Sequence, residues 1–198
     1  MNQNDQLMLI KQFVAEKFSS DYSGHDFDHM RRVAVLAAKI AKKEGGDPFL
    51  AEVCGWVHDL IDDKLTANSE LAQQELEHFL LSLDFTIKQI KQIQAAIETV
   101  SFRKGKQPQA TLDCIVQDAD RLDAIGAIGI ARAFSYGATR QQPLYADQEP
   151  STLAHFESKL LKLKDLLNTN TAKQLAEQRH RLLEDFYHQF IAEWHLDC

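Results

Sequence analysis

Asp47-Pro48-Phe49-Leu50-Ala51-Glu52-Val53-Cys54-Gly55-Trp56-Val57-His58-Asp59 reads as a helix. Asp47 suits an N-cap, and Pro48 suits the first helical position, where its missing N–H has no partner to lose. Leu50, Val53, Val57 and then Leu60 recur at three and four, not at two. The run is apolar around much of its circumference, so the helix is expected to be mostly buried. It then finishes on two adjacent ionisable groups, His58 and Asp59. A buried helix rarely ends this way unless something pairs those groups. A divalent cation would do so, because imidazole nitrogen and carboxylate oxygen both ligate first-row metals. The plainer alternative is a hydrogen bond to Asp59 from a neighbouring helix, with His58 a satisfied boundary residue.

The same periodicity extends in both directions. Leu7, Ile10, Val14 and Phe18 predict a first helix, with Asp5 as its cap. A second is expected from about His25, burying Met30, Val33, Leu36, Ala37 and Ile40. Residues 69–81 predict a fourth helix, and Asp84 is expected to cap a fifth that carries Ile87, Ile90, Ile93 and Ile97. Another should run from about Ala110 to Asp123. Ala124–Pro143 is small, apolar and glycine-dotted before it becomes a loop. Beyond Pro150 two long helical patterns break near residues 168–171. Nothing reads as a strand, a repeat or a low-complexity tract, so the expected fold is all-α, as one domain.

Composition narrows the function. The chain has 198 residues, 44% hydrophobic and 26% charged, with a formal net charge of −7. That length can bury a core without disulfide or structural metal. The acidic balance argues against a nucleic-acid binder, which needs a basic face. No apolar run is long enough to span a membrane, the first residues lack a secretory pattern, and no CxxC pair is present, so the expected compartment is the cytoplasm.

Two further clusters bear chemistry. His25 and His29 are four apart where the second helix should begin, with Asp28 before His29 and Arg31 and Arg32 after it. If the helix already holds at His25, both imidazoles share a face. An exposed charged first turn explains Asp26 and Asp28 equally well, but not the histidines. Asp118, Asp120 and Asp123 follow an apolar helix and precede an apolar segment, without the alternating signs of a solvated face. Asp120 and Asp123, three apart, can point to the same side.

In order these residues give H…HD…D: His29, His58-Asp59, Asp120. With Gly24-His25-Asp26-Phe27-Asp28-His29, Val57-His58-Asp59, Asp118-Ala119-Asp120-Arg121-Leu122-Asp123 and His155-Phe156-Glu157-Ser158-Lys159-Leu160-Leu161, the chain resembles the HD-domain superfamily of metal-dependent phosphohydrolases, and especially its small stand-alone bacterial members. The resemblance implies a compact all-α bundle with a metal-binding core over about 22–130 and C-terminal helices over about 150–195 packing on it. It implies that His29, His58, Asp59 and Asp120 hold one divalent ion. Such a mixed nitrogen and oxygen set suits Mn²⁺, Fe²⁺, Ni²⁺ or Zn²⁺, with Mg²⁺ less natural beside histidine, and Mn²⁺ is the expected ion.

His58-Asp59-Leu60-Ile61-Asp62-Asp63 also resembles the HDxxED run of guanosine tetraphosphate hydrolases, with Asp62 in place of the glutamate. If the helix continues, Asp62 and Asp63 fall one turn after His58 and Asp59, placed to manage the attacking water; an acidic helix end is the alternative. With His25 they are the candidate catalytic groups. Arg32, Lys64, Arg103, Lys104, Asp123 and Lys159 are the candidate substrate contacts, the cations meeting phosphate oxygens. The expected activity is cleavage of a nucleoside triphosphate or related nucleotide to monophosphate and pyrophosphate. A nucleotide monoester phosphatase and a non-catalytic metal- and nucleotide-binding module are the alternatives, and a homodimer through Trp194 and the apolar C-terminal face is a further expectation.

Overall fold

The third helix, Pro48–Val57, is buried on nearly every side, with Leu50, Ala51, Val53, Cys54, Gly55, Trp56 and Val57 all withdrawn from solvent. Asp47 caps it as expected, accepting from the backbone N–H groups of Phe49 and Leu50 at 2.9 and 3.2 Å. The computed structural model describes residues 1–18, 24, 26–62, 66, 68–102, 105–147 and 150–197. Among these, the α-helices are α1 (Gln3–Phe18), α2 (Phe27–Glu44), α3 (Pro48–Val57), α4 (Ser69–Ser82), α5 (Ile87–Glu98), α6 (Thr111–Asp123), α7 (Gly126–Thr139), α8 (Thr152–Ser158) and α9 (Asn170–His195). The described residues contain no strand, so the chain is all-α. Among the described residues no helix is long and apolar enough to cross a membrane.

The chain divides into two compact units, Met1–Asp21 with His25–Asp120, and Tyr22–Gly24 with Arg121–Cys198. In the first, α3 packs on α2, α1 and α5, and α4 packs on α5. The core joins Ile10 and Val14 of α1, Met30 and Ala34 of α2, Val53 and Trp56 of α3, and Leu76, Leu80, Ile90 and Ile93. Burial pushes the Cys54 thiol far above its ordinary range, leaving it an inert core group. Gly55 governs how closely α3 approaches α2: a Cβ there would lie 2.4 Å from Ala34 Cα.

In the second unit α7 packs on α8 and α9. Gly126 takes φ +77°, where an L side chain is strained and a Cβ would also press on Arg179. Phe134, Phe156, Phe186 and Phe190 form an aromatic cluster that reaches Trp194, which stacks on Phe190 with ring centroids 5.8 Å apart. Trp194 itself is 47% exposed.

Several local expectations are corrected. α1 starts earlier than Asp5, and Asn2 Oδ1 accepts from the Asp5 N–H at 3.0 Å. Asp84 does not cap α5; it has φ +64° and accepts from the Met1 amine at 2.7 Å. Thr86 caps α5 instead, in a reciprocal capping box with Gln89. α3 ends at Val57, before Leu60, and the first pattern after Pro150 is a short helix followed by 3₁₀ turns.

Candidate metal centre

Three elements bring the donors together. His29 lies in the first turn of α2, fixed by Asp26, whose carboxylate caps the helix and accepts from the His29 N–H at 2.7 Å. His58 follows the last residue of α3. Asp120 lies in the last turn of α6. The His29 and His58 rings meet edge to face, with centroids 5.1 Å apart and planes at 76°. Their Nε2 atoms are 3.2 Å apart.

The carboxylates close on this pair. His29 Nε2 is 3.4 Å from Asp59 Oδ2 and 3.5 Å from Asp120 Oδ1. His58 Nε2 is 3.4 Å from Asp59 Oδ1 and 3.8 Å from Asp120 Oδ1. Both imidazole side chains are fully buried, while Asp59 and Asp120 keep 11% and 23% of their side-chain surface. His58 Nδ1 lies 2.9 Å from Gly55 O. A carbonyl only accepts, so Nδ1 carries a proton, and it is Nε2 that faces the cluster, with a lone pair to offer a metal when it carries none.

That arrangement fits a cation. A buried imidazole lone pair facing carboxylate oxygens is electrostatically unfavourable unless a positive charge stands among them. Atoms bound about 2.1 Å from one ion lie about 3.0 Å apart at a right angle and about 3.4 Å apart at the tetrahedral angle. The observed separations lie close to this range. His29, His58 and Asp120 thus form a candidate site for a divalent ion, with Asp59 beside them.

Residues 26–125 match the HD domain family. The chain belongs to that family. YpgQ of Bacillus subtilis (strain 168) is 42% identical over 193 residues, 96% of this chain and 94% of that one. A crystal structure of YpgQ in complex with ADP matches with a TM-score of 0.81 at 40% identity, covering 93% of this chain and 96% of that chain. A Lactobacillus plantarum protein matches with a TM-score of 0.87 at 38% identity, covering 97% and 98%. An HD-superfamily hydrolase from Bacillus thuringiensis matches at 0.79 and 38% identity, covering 98% and 99%. His29, His58, Asp59 and Asp120 all lie inside the matched span.

The other expected site residues fare differently. His25, Asp63, Lys64, Arg103 and Lys104 lie outside the described residues. Asp62 does not sit on a continued helix: its N–H bonds Asp59 O at 3.2 Å, after Leu60 N–H bonds Val57 O at 3.1 Å, so tight turns replace α3 here. Asp62 nonetheless lines a small recess shared with His58 and Asp59. Arg31 is exposed and pairs with Asp28 at 3.0 Å, whereas Arg32 is half-buried. Asp118 is fully buried, and Asp123, 2% exposed, accepts from Arg132 at 3.0 Å. Lys159 is the C-cap of α8 in the second unit.

Sequence reasoning missed a cleft of about 120 Å³ on the Asp59 side, where Lys17 and Glu75 join Phe13, Phe18 and Leu76. Lys17 Nζ contacts both Glu75 oxygens, at 2.7 and 2.9 Å. It also missed Gly55. A lone glycine inside an apolar helix costs about 1 kcal/mol against alanine, which is itself a sign of close backbone approach.

Proposed function

We propose that the protein is a metal-dependent phosphohydrolase that cleaves a nucleoside triphosphate or related nucleotide to the monophosphate and pyrophosphate. The convergence of His29, His58, Asp59 and Asp120, each within 3.8 Å of a neighbouring donor, carries this reading. Family membership supports it, and so does the ADP bound by the relative YpgQ. The mixed donor set suits Mn²⁺, Fe²⁺, Ni²⁺ or Zn²⁺, with Mg²⁺ a weaker fit beside histidine, and Mn²⁺ is the ion proposed. When bound, such an ion would acidify water and draw charge from a phosphoryl oxygen.

The chain's own groups do the rest. His29 and His58 would present ring nitrogens from a buried wall, and Asp59 and Asp120, which keep some exposed surface, would offset the ion's charge. Asp62 takes the proton side of the reaction from the turn beyond Asp59. Cations among Arg32, Lys64, Arg103 and Lys104, with His25 and Asp63, complete the proposed site. Asp62→Asn should leave metal binding and KM intact and lower kcat about 10²-fold, at the low end for a lost general base. An unchanged kcat would reduce Asp62 to a turn residue.

The substrate class is tested by giving Mn²⁺-loaded protein a nucleoside triphosphate, diphosphate and monophosphate and separating the products by ion exchange. The triphosphate should show the highest kcat/KM and release pyrophosphate. Preference for the monophosphate, with free phosphate as product, would make the protein a nucleotide monoester phosphatase. Binding without any product would make it a nucleotide-binding module.

A further inference from the structure

α5 ends on Glu98, an anion at the helix terminus where the backbone dipole disfavours one. Lys106 Nζ lies 2.6 Å from Glu98 Oε2. Buried Gln117 of α6 donates through Nε2 to Thr99 O at 2.6 Å and to Lys106 O at 3.4 Å. The residue following Glu98 and the residue that pairs with it are thus both tied to the helix that carries Asp120 one turn further on.

Glu98 lines a recess of about 20 Å³, whose other polar walls are His58, Asp59, Asp62 and Ser101 over an apolar floor. That is room for about one water molecule, which needs about 2–4 polar partners to be held. The recess is thus lined both by the candidate metal donors His58 and Asp59 and by acidic residues of two separate elements, Asp62 of the turn after α3 and Glu98 at the end of α5.

We propose that Glu98 is a positioning residue: with Asp62 and Ser101 it holds the water that hydrolysis consumes. The inference rests on the phosphohydrolase reading above. A water that donates its two hydrogens to Glu98 and Asp62 turns its lone pairs away from them. In the step that follows, the water oxygen bonds to phosphorus and the bond from phosphorus to the pyrophosphate oxygen breaks. Pyrophosphate leaves with the electron pair, and the water's proton passes to a carboxylate and on to solvent. Of the reacting groups Glu98 touches only the water, and acts by aiming it.

Added methanol tests this in the Mn²⁺-loaded full chain turning over a nucleoside triphosphate. Methanol competes with water as nucleophile and gives the methyl ester of the monophosphate, with pyrophosphate in both cases. Glu98→Ala should lower kcat about tenfold at unchanged KM and metal content, a loss of aim rather than of binding. It should also raise the methyl ester share, because the truncated wall admits the larger nucleophile. Glu98→Gln keeps an accepting oxygen and should recover most of kcat and the wild-type ester share. A crystal structure of the wild type should show one ordered water within reach of Glu98 and Asp62. An unchanged kcat and ester share in Glu98→Ala, equal losses in Ala and Gln, or a recess without that water would each overturn the proposal. Failure of the phosphohydrolase reading looks different: the wild type itself would give no product, and Glu98 would lose its assigned role with it.

Discussion

His58→Ala should leave a folded chain that neither retains a divalent ion nor hydrolyses a nucleotide. His58 Nε2 stands 3.2 Å from the His29 nitrogen and within 3.8 Å of both carboxylates, so its removal opens the cluster at its centre. An ion in such a site contributes several kcal/mol to a phosphoryl transition state. At about 1.4 kcal/mol per tenfold, kcat/KM should fall by about 10³–10⁴ or more. The fold should survive, because His58 lies past the last residue of α3 and the substitution deletes only the bond to Gly55 O, worth about 1 kcal/mol, and the contact with His29 within the site itself. Elemental analysis after reconstitution, paired with far-ultraviolet circular dichroism, checks both halves. Asp59→Ala should behave alike. Full metal retention in both variants would remove these residues from the ligand set.

Gly55→Ala should do the opposite, damaging the fold first and the site as a result. The added methyl would lie 2.4 Å from Ala34 Cα and 2.7 Å from Ala34 N, backbone atoms that cannot rotate aside. Either α3 lifts from α2 or α2 bends, and overpacking of this kind costs about 3 kcal/mol or more. Against a typical total of about 5–15 kcal/mol, that is a large loss. Urea denaturation should show a lower midpoint with little change in slope. Since α3 carries His58 and α2 carries His29, the surviving folded fraction should also bind the ion more weakly. A midpoint equal to that of the wild type would mean the two helices can separate at no cost.

Much of this was legible because the strongest signals are local. The 3.6-residue periodicity located the helices, and Asp47-Pro48 marked the start of α3. Family resemblance singles out His29, His58, Asp59 and Asp120, whose donor atoms meet from three places in the chain: the start of α2, the turn after α3 and the end of α6. What escaped depends on distances across the fold. Nothing in the neighbourhood of Gly55 reveals that Ala34 faces it, and nothing near Gln117 reveals that it will hold Thr99 and Lys106. Residue type alone points to Asp5 and Asp84 as caps, but Asn2 and Thr86 stand closer to the first turns. The extrapolation of α3 through Asp62 failed for a related reason. Periodicity cannot see that the backbone tightens once Val57 has been passed.

The chain's two tryptophans are divided between its two compact units: Trp56 is buried in α3, 2% exposed, and Trp194 stands near the end of α9, 47% exposed. They amount to a pair of built-in optical reporters. With Trp194→Phe, emission comes from a dry indole and should shift to the red as the first unit melts. With Trp56→Phe, the remaining indole is already wetted, so its intensity, through loss of the Phe190 stack, follows the second unit. Coincidence of the two transitions would mark one cooperative unfolding step, and separation would mark two. Because Trp56 is two residues from His58, the first variant should also report the arrival of a quenching ion such as Mn²⁺, allowing site occupancy and local stability to be read from one fluorophore.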